Sequence, residues 1–263
     1  MKRYLSLLSA RFRLLLQYRV AALAGFGTQL FFGLVRVMVF TAFYAATTQA
    51  QPMTLPQVIT YVWLGQALLV MLPWSVDNDV RDMIRSGNVA YELTRPLDLY
   101  WTWFVRAVAL RVAPGVLRAI PLFILATLFL HMQVPPSAAA AGAFAASLLL
   151  AVLLASAITT LCVITVMWTI AGEGVSRLLP SVATLLSGLV IPLPLFPAWS
   201  VWFFRLQPFS GVFDHPFRLY TGNIPVADTG WVLLHQAVWT VAFVAAGRWL
   251  VAHGLKRLVV QGG

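Results

Sequence analysis

Residues 77–96 read DNDVRDMIRSGNVAYELTRP and form a charged segment between long apolar tracts. The segment interleaves arginines with carboxylates: Asp77, Asp79, Arg81, Asp82, Arg85, Glu92 and Arg95. The whole chain has only eight acidic residues. Such a concentration favours a docking element. The alternative is a solvated loop whose arginines anchor the edge of a membrane.

The charged segment has the features of a short helix that ends in a turn. Asp77, or either of the two residues after it, can cap the first turn by accepting hydrogen bonds from free backbone N–H groups. Positions 80, 83 and 84 are apolar and share one helical face. The spacings Asp77–Arg81 and Asp82–Arg85 suit helical ion pairs. Gly87 can end the helix in a left-handed conformation.

The composition of the chain indicates a membrane protein. Of its 263 residues, 60% are hydrophobic and 10% charged, and the mean hydropathy is +0.84. A soluble domain carries about a quarter charged residues. The net charge is +10, but the arginines lie beside apolar tracts, which favours membrane topology over nucleic-acid binding.

Six apolar tracts are each close to the roughly 20 residues that cross a bilayer core. They are Val20–Ala45, Val58–Val76, Trp101–Leu130, Ala138–Ile170, Leu178–Leu195 and Trp231–Ala252. Backbone hydrogen bonding in lipid requires them to be helical. We therefore predict an all-α integral membrane protein with six transmembrane helices, in which residues 1–263 form a single transmembrane domain.

Two further segments have a membrane character. Residues 1–19 are basic and amphipathic, which predicts a helix lying in the interface plane. Residues 198–230 are rich in aromatic side chains and nearly uncharged. Four of them predict an aromatic belt at the outer interface, with a substrate cage as the alternative: Trp199, Trp202, Phe203 and Phe204.

The distribution of lysine and arginine predicts the orientation. With the N-terminus inside, the inner segments hold Lys2, Arg3, Arg11, Arg13, Arg19, Arg81, Arg85, Arg95, Arg177, Lys256 and Arg257. The outer connectors hold only Arg205 and Arg218. By the positive-inside rule, both termini and the charged segment are cytosolic.

The sequence lacks the motifs of an energy source or a catalyst. It has no GxxxxGK[ST] phosphate loop, no HExxH motif and no Ser/His/Asp arrangement. The single cysteine, Cys162, lies in an apolar run, and the four histidines are scattered without metal-ligand spacing. We expect no enzyme activity, no metal and no cofactor in this chain. A transporter of this kind needs an energy source, such as ATP hydrolysis, on another polypeptide.

Some charged residues lie where lipid or a pathway is expected. Arg36 lies deep in the first span, and Arg118 lies deep in the third. They predict a translocation pathway for an anionic amphiphile, with snorkelling to head groups as the alternative. Arg106 is expected to anchor to lipid phosphates. Glu173, between glycines, predicts a smaller cytosolic contact or a solvated turn.

With these features the chain resembles the type-2 ATP-binding-cassette exporter permeases, which are bacterial six-span membrane subunits. The topology is similar over nearly the full length. The stretch IRSGNVAYELTRPLDLY at 84–100 is similar to an SGN…L.RP signature in one branch of the family, and so is the terminal VVQGG at 259–263.

The resemblance implies a place in a larger assembly. It implies two six-span permeases, identical or sibling, and two cytosolic ATPase subunits that hold ATP and magnesium in the bacterial inner membrane. It implies that residues 77–96 form a coupling helix against the ATPase and that residues 198–230 form a re-entrant hairpin at the exit. A stand-alone secondary carrier or membrane scaffold is the alternative.

Overall fold

The structure is a computed structural model that describes residues 2–16, 19–72, 77–168 and 173–255, without the side chains of residues 2, 19–24 and 173–177. Within these residues the chain forms helices and no strand. The α-helices are α1 (Lys2–Leu15), α2 (Arg19–Ala46), α3 (Leu55–Ala67), α4 (Asn78–Arg85), α5 (Val89–Leu93), α6 (Leu99–Phe129), α7 (Ala138–Thr165), α8 (Glu173–Leu186), α9 (Val201–Leu206), α10 (Asp214–Tyr220) and α11 (Thr229–Gly254). Short 3-10 helices cover Leu69–Met71, Leu193–Leu195, Ala198–Ser200, Pro208–Gly211 and Val226–Asp228.

Four helical stretches are long and apolar enough to cross a membrane. They are Gly25–Ala46, Leu99–Phe129, Ala138–Thr165 and Val226–Gly254. They correspond to the first, third, fourth and sixth predicted spans, so the prediction of an all-helical, multi-pass protein is confirmed.

The other two predicted spans contain shorter helices. α3 has 13 residues and is followed by the 3-10 turn Leu69–Met71, while α8 has 14 residues. Both fall short of the about 20 residues that a straight crossing needs. α8 stops at Leu186 because Gly188 takes a left-handed conformation with φ of +81°. Hydropathy counts apolar residues and does not register such breaks.

The long helix α6 separates the two ends of the molecule. Its 31 residues span roughly 46 Å. We call the end at Leu99 the near end and the end at Phe129 the far end. Asp98 caps α6 at the near end, where its side chain accepts from the N–H of Trp101 at 3.0 Å. At the far end, the N–H of Gln133 donates to the Thr60 hydroxyl at 2.9 Å.

The near end holds the charged segment. α4 buries Val80 and Ile84 in a cluster that includes Trp103 of α6 and Ile164 of α7. The last turns of α11 pack here as well, because Val251 belongs to the same cluster. α1 packs along α6. The beginning of α1, the charged segment and the end of α11 therefore share one end of the molecule.

The far end holds residues 198–230. Tyr220 of α10 packs its ring on Phe144 of α7 with the centroids 5.0 Å apart. Gly222 lies so close to Pro136 that a Cβ there would be 3.0 Å from the proline ring. α2 also ends on this side, since Asn223 donates to the carbonyl of Pro52 at 3.0 Å. The charged segment and residues 198–230 thus lie at opposite ends of α6.

Candidate functional site

The beginning of the charged segment has the predicted cap. The Asp77 carboxylate accepts from the N–H groups of Asp79 at 3.1 Å and Val80 at 3.4 Å. Gly87 has a φ of +75° and follows the end of α4. The cap and the glycine turn are therefore confirmed.

An arginine from α6 binds the first two carboxylates of the segment. Arg106 Nε lies 2.6 Å from Asp77 Oδ2, and its Nη2 lies 3.0 Å from Asp79 Oδ2. Arg11 of α1 reaches the same Asp79 oxygen at 3.2 Å. Helical spacing predicted Arg81 as the partner of Asp77, but Arg81 instead lies 3.8 Å from Asp82. Arg106, expected at lipid phosphates, forms a buried ion pair.

The N-terminal helix also contacts the end of the charged segment. Arg3 donates to the carbonyl of Pro96 at 3.3 Å, and the Tyr4 hydroxyl accepts from the N–H of Asp98 at 3.0 Å. Together with the Arg11 contact, these bonds place α1 against both ends of residues 77–96. Sequence patterning assigned α1 to the membrane interface and gave no signal for this contact.

The rest of the charged segment presents an exposed face. Glu92 is paired with Arg95 at 3.0 Å and is largely covered. Its exposed charged and large apolar side chains are Asp82, Arg85, Tyr91, Leu93 and Arg95. Tyr91 is 73% exposed and Leu93 52%, so two apolar side chains stand among charged ones. We call these five residues the exposed face of the charged segment.

Arg36 contacts an irregular stretch of backbone. Its Nη2 donates to the carbonyls of Leu189 and Val190. With the Gln66 amide oriented to accept, Arg36 Nη1 lies 3.2 Å from the Gln66 oxygen. Arg36 precedes the end of α2 by about 15 Å of helix, so the loop at 187–193 lies well inside the far end. Non-helical backbone at such depth needs internal partners, and Arg36 provides one.

A buried carboxylate completes this loop contact. Asp214 is 1% exposed. Its Oδ1 accepts from the Tyr61 hydroxyl at 3.1 Å and from the N–H of Leu193 at 3.2 Å, and its Oδ2 lies 3.3 Å from Arg218. Burial raises the pKa of Asp214, while Arg218 and these hydrogen bonds act in the opposite direction. We call Tyr61, Asp214 and Arg218 the far-end polar cluster.

The far-end polar cluster was not predicted from the sequence. Asp214 and Arg218 are four residues apart in an aromatic-rich segment, which is the spacing of a helical ion pair. That spacing was an available signal. The contact of Tyr61 with Asp214 depends on how α3 packs against α10. Sequence spacing alone does not predict it.

The remaining deep arginines lie between helices. A Cβ on Gly25 would be 2.8 Å from the guanidinium carbon of Arg118, and the buried Nε of Arg118 has no hydrogen-bond partner among the described residues. Arg111 is buried, and it donates to the Ala107 carbonyl at 2.9 Å and to the Thr159 hydroxyl. Arg36 and Arg118 contact different neighbours in this arrangement, and their predicted pathway role stays a prediction.

The predicted aromatic belt is split between two environments. Trp199, Trp202 and Phe203 are exposed, whereas Phe204 is 9% exposed. Phe204 packs on Phe196 with the ring centroids 4.7 Å apart. Only the first three present rings to the surroundings.

Other predicted features have simpler outcomes. Cys162 is buried and free. No group of three or more possible metal ligands occurs among the residues that the structure describes. The side chains of Glu173 and Arg177, and the terminal residues 259–263, lie outside the described parts.

Comparison with known proteins identifies the family. The family model of ABC-2 family transporter proteins matches residues 30–262, which is most of the chain. No curated protein and no solved structure matches. The four long apolar helices agree with a membrane component. The chain belongs to the ABC-2 family of transporter membrane proteins and is a type-2 ATP-binding-cassette permease.

Proposed function

We propose that this permease subunit is part of an exporter, forms the translocation pathway with a second permease, and is driven by ATPase subunits that dock on the charged segment. The observation that carries the proposal is the exposed face at Asp82, Arg85, Tyr91, Leu93 and Arg95. Apolar side chains that stand exposed on a polar surface indicate a binding surface.

The base of the charged segment supports a mechanical role. Asp77 and Asp79 are tied to Arg106 of α6 and Arg11 of α1. A force applied to the exposed face therefore acts on two helices at once. In this proposal Asp77 and Asp79 transmit the movement, while the exposed face meets the ATPase; Gly87 and Glu92 shape the turn between them.

The distribution of charge supports a cytosolic near end. Arg3, Arg11, Arg95 and Arg106 lie there, as does Arg248 of α11 at 3.8 Å from Asp98. Among the described far-end connectors the arginines are Arg205 and Arg218. Under the positive-inside rule this asymmetry favours a cytosolic near end, with both termini inside, in a bacterial inner membrane.

The second and fifth predicted spans, whose helices are interrupted, would complete a six-span topology. Residue 60 contacts the far end and residue 77 contacts Arg106 at the near end, so we propose that α3 and the 3-10 turn after it belong to the second span. α8 runs toward the far end, because Gln207 donates to the carbonyl of Leu186 at 2.7 Å. We propose that α8 and the loop after it form the fifth span. We also propose that residues 198–230 form the re-entrant hairpin at the exit.

The outward face of α2 is available for lipid or for a second permease. Its exposed apolar side chains include Phe31, Phe32, Met38 and Val39. ATP and magnesium are assigned to the ATPase subunits, since the sequence has no phosphate loop. Arg36 and Arg118 remain the proposed pathway residues, and their substrate is an anionic amphiphile.

Co-purification tests this function. The tagged chain is isolated from its native membrane in mild detergent, and nucleotide-binding partners are labelled with azido-ATP. We expect a stoichiometric ATPase whose recovery falls at least about tenfold in Tyr91→Ala combined with Arg85→Ala, because both contact groups are removed. Phe129→Ala is the control, since Phe129 is equally exposed at the far end.

A different outcome would identify the alternative. If the chain is recovered alone and transports in liposomes without nucleotide, it is a stand-alone carrier. If both variants lose the ATPase equally, the docking surface does not lie on the charged segment.

A further inference from the structure

A cavity at the far end lies within the segment proposed above as the exit hairpin, and a role for it in binding substrate rests on that proposed function. Its volume is about 440 Å³, within the roughly 300–1,000 Å³ of small-molecule sites. It lies between residues 193–204, α10 and the beginning of α11. We call it the far-end cavity.

The far-end cavity has one apolar wall. This wall is formed by Leu193, Pro194, Phe196, Ala198, Val201 and Phe204. The exposed rings of Trp199 and Trp202 belong to the same stretch of chain. Tryptophan at a surface of this kind is typical of the membrane interface, so the apolar wall continues toward lipid.

The lining of the cavity also includes two arginines with unused donors. Arg218 donates through Nη1 to Asp214 at 3.3 Å and through Nε to Asn223 at 2.7 Å, which leaves Nη2 without a hydrogen bond to any described residue. The guanidinium of Arg205 stacks 4.6 Å from the ring centroid of Trp231. Arg205 forms no ion pair or hydrogen bond within the described part of the chain, so all its N–H groups are available.

A buried histidine also belongs to the lining of the cavity. His215 is 2% exposed, and its Nδ1 has no hydrogen-bond partner among the described residues. Burial, then His235, Arg218 and Arg205, lower the pKa of His215 well below its ordinary value. The ring is therefore neutral and adds no positive charge to the cavity.

Two carboxylates, Asp214 and Asp228, also line the cavity. Both oxygens of Asp214 accept hydrogen bonds from Tyr61, Leu193 and Arg218. Asp228 is exposed and forms no ion pair with a described residue. The N–H groups of Arg205 and Nη2 of Arg218 are therefore available to a ligand that brings acceptor oxygens.

We propose that the far-end cavity binds the anionic head group of an amphiphile. Phosphate or carboxylate oxygens lie between Arg205 and Arg218, and the apolar part lies along the wall from Leu193 to Phe204. Trp231 holds the Arg205 guanidinium in place through its ring. The site needs no ATPase, so its test is independent of the docking proposed above.

Binding of short-chain lipids to the detergent-purified full chain tests the proposal by native mass spectrometry. We expect one saturable dioctanoyl phosphatidylglycerol per chain, at least about tenfold tighter than dioctanoyl phosphatidylcholine, because only the first has an uncompensated anion. Arg205→Gln lowers this affinity about tenfold or more, and Arg205→Lys lowers it less. The Arg205 side chain is exposed, so its variants keep the fold, which circular dichroism verifies.

Arg248→Gln is the matched control. Arg248 is also exposed and also lies over a tryptophan, 6.0 Å from the Trp101 ring, but at the near end. We expect its phosphatidylglycerol affinity to equal that of the unmodified chain. An equal loss in Arg205→Gln and Arg248→Gln would mean that general surface charge binds the lipid, and the proposal would be overturned.

Two further measurements distinguish an amphiphile from free phosphate and from lipids whose head groups have no net charge. Inorganic phosphate is expected to compete only at concentrations far above those of the lipid. If inorganic phosphate alone fills the site as tightly as the lipid, the apolar wall plays no part and the amphiphile is wrong. If dioctanoyl phosphatidylethanolamine or phosphatidylcholine binds as tightly as phosphatidylglycerol, the anionic head group is wrong.

Discussion

The two ends of α6 each contain an arginine paired with an aspartate, in very different surroundings. At the near end, Asp79 is 63% exposed while it binds Arg106 and Arg11. At the far end, Asp214 is 1% exposed and binds Arg218, Tyr61 and the backbone at Leu193. The near-end pairs hold a surface element against the helices, whereas the far-end pair satisfies broken backbone inside the protein.

This difference determines what each pair contributes to stability. Water screens the pairs of the exposed Asp79, which contribute only about 0–1 kcal/mol each, whereas the Arg106–Asp77 pair is largely covered. Removing one partner of a buried pair leaves an uncompensated charge and costs about 3–5 kcal/mol. Variants at the far end should therefore affect the whole fold, and variants at the near end should affect the charged segment.

The largest effect is expected for Asp214→Ala. The change leaves Arg218, the Tyr61 hydroxyl and the N–H of Leu193 without their acceptor, and we expect the free energy of unfolding to fall by about 3–5 kcal/mol. Denaturation of the purified protein in mixed micelles measures the change. Asp228→Ala is the control, because Asp228 is exposed; a loss as large in that variant would mean that burial does not explain the effect.

Gly188→Ala should follow at the same end. Gly188 has a φ of +81°, and a Cβ there would lie 2.6 Å from the Tyr61 hydroxyl and 3.2 Å from Cβ of Asp214. Left-handed strain and overpacking together should cost about 2–4 kcal/mol. Thermal unfolding in detergent measures the loss. A loss below that of Gly87→Ala would contradict the prediction.

Parts of this comparison could be predicted from the sequence. The Asp77 cap and the Gly87 turn depend on residues a few positions apart, so local spacing was sufficient. The Arg106 pair was missed because its carboxylates are separated from it by 29 and 27 residues, and only packing brings them together.

The positions at which the helices break could not be predicted from the sequence either. The tract at 58–76 has no charged residue and is mostly apolar, yet α3 ends at Ala67. Apolar composition reports burial in protein and exposure to lipid alike. The sequence predicted the end of the fifth span at the prolines from 192 onward, a few residues after the break that the structure shows at Gly188. In sequence, a glycine that takes a left-handed conformation inside an apolar tract looks like any small residue.

Arg106→Gln tests the near end. It removes the partner that Asp77 and Asp79 share, but water reaches Asp79 and Arg11 remains. We expect a loss of about 1–2 kcal/mol, because Asp77 still accepts from the N–H groups of Asp79 and Val80 and is not left without partners. Faster amide hydrogen exchange in residues 78–85, with unchanged exchange in α10, would confirm that the effect is local. Equal acceleration in α10 would contradict it.

The smallest effect is expected for Gly87→Ala, which completes the comparison with Gly188. Gly87 has a φ of +75°, but no atom would lie within 4 Å of a Cβ there. The substitution therefore adds backbone strain without a collision and should cost about 1 kcal/mol. Asparagine tolerates the left-handed conformation better than alanine does, so Gly87→Asn should recover part of that loss in the same thermal measurement. Gly188→Asn should recover nothing, because the larger side chain meets Tyr61 and Asp214. Equal recovery at the two glycines would mean that available space does not separate the two ends, and the contrast between a solvent-facing turn and a buried loop would have to be abandoned.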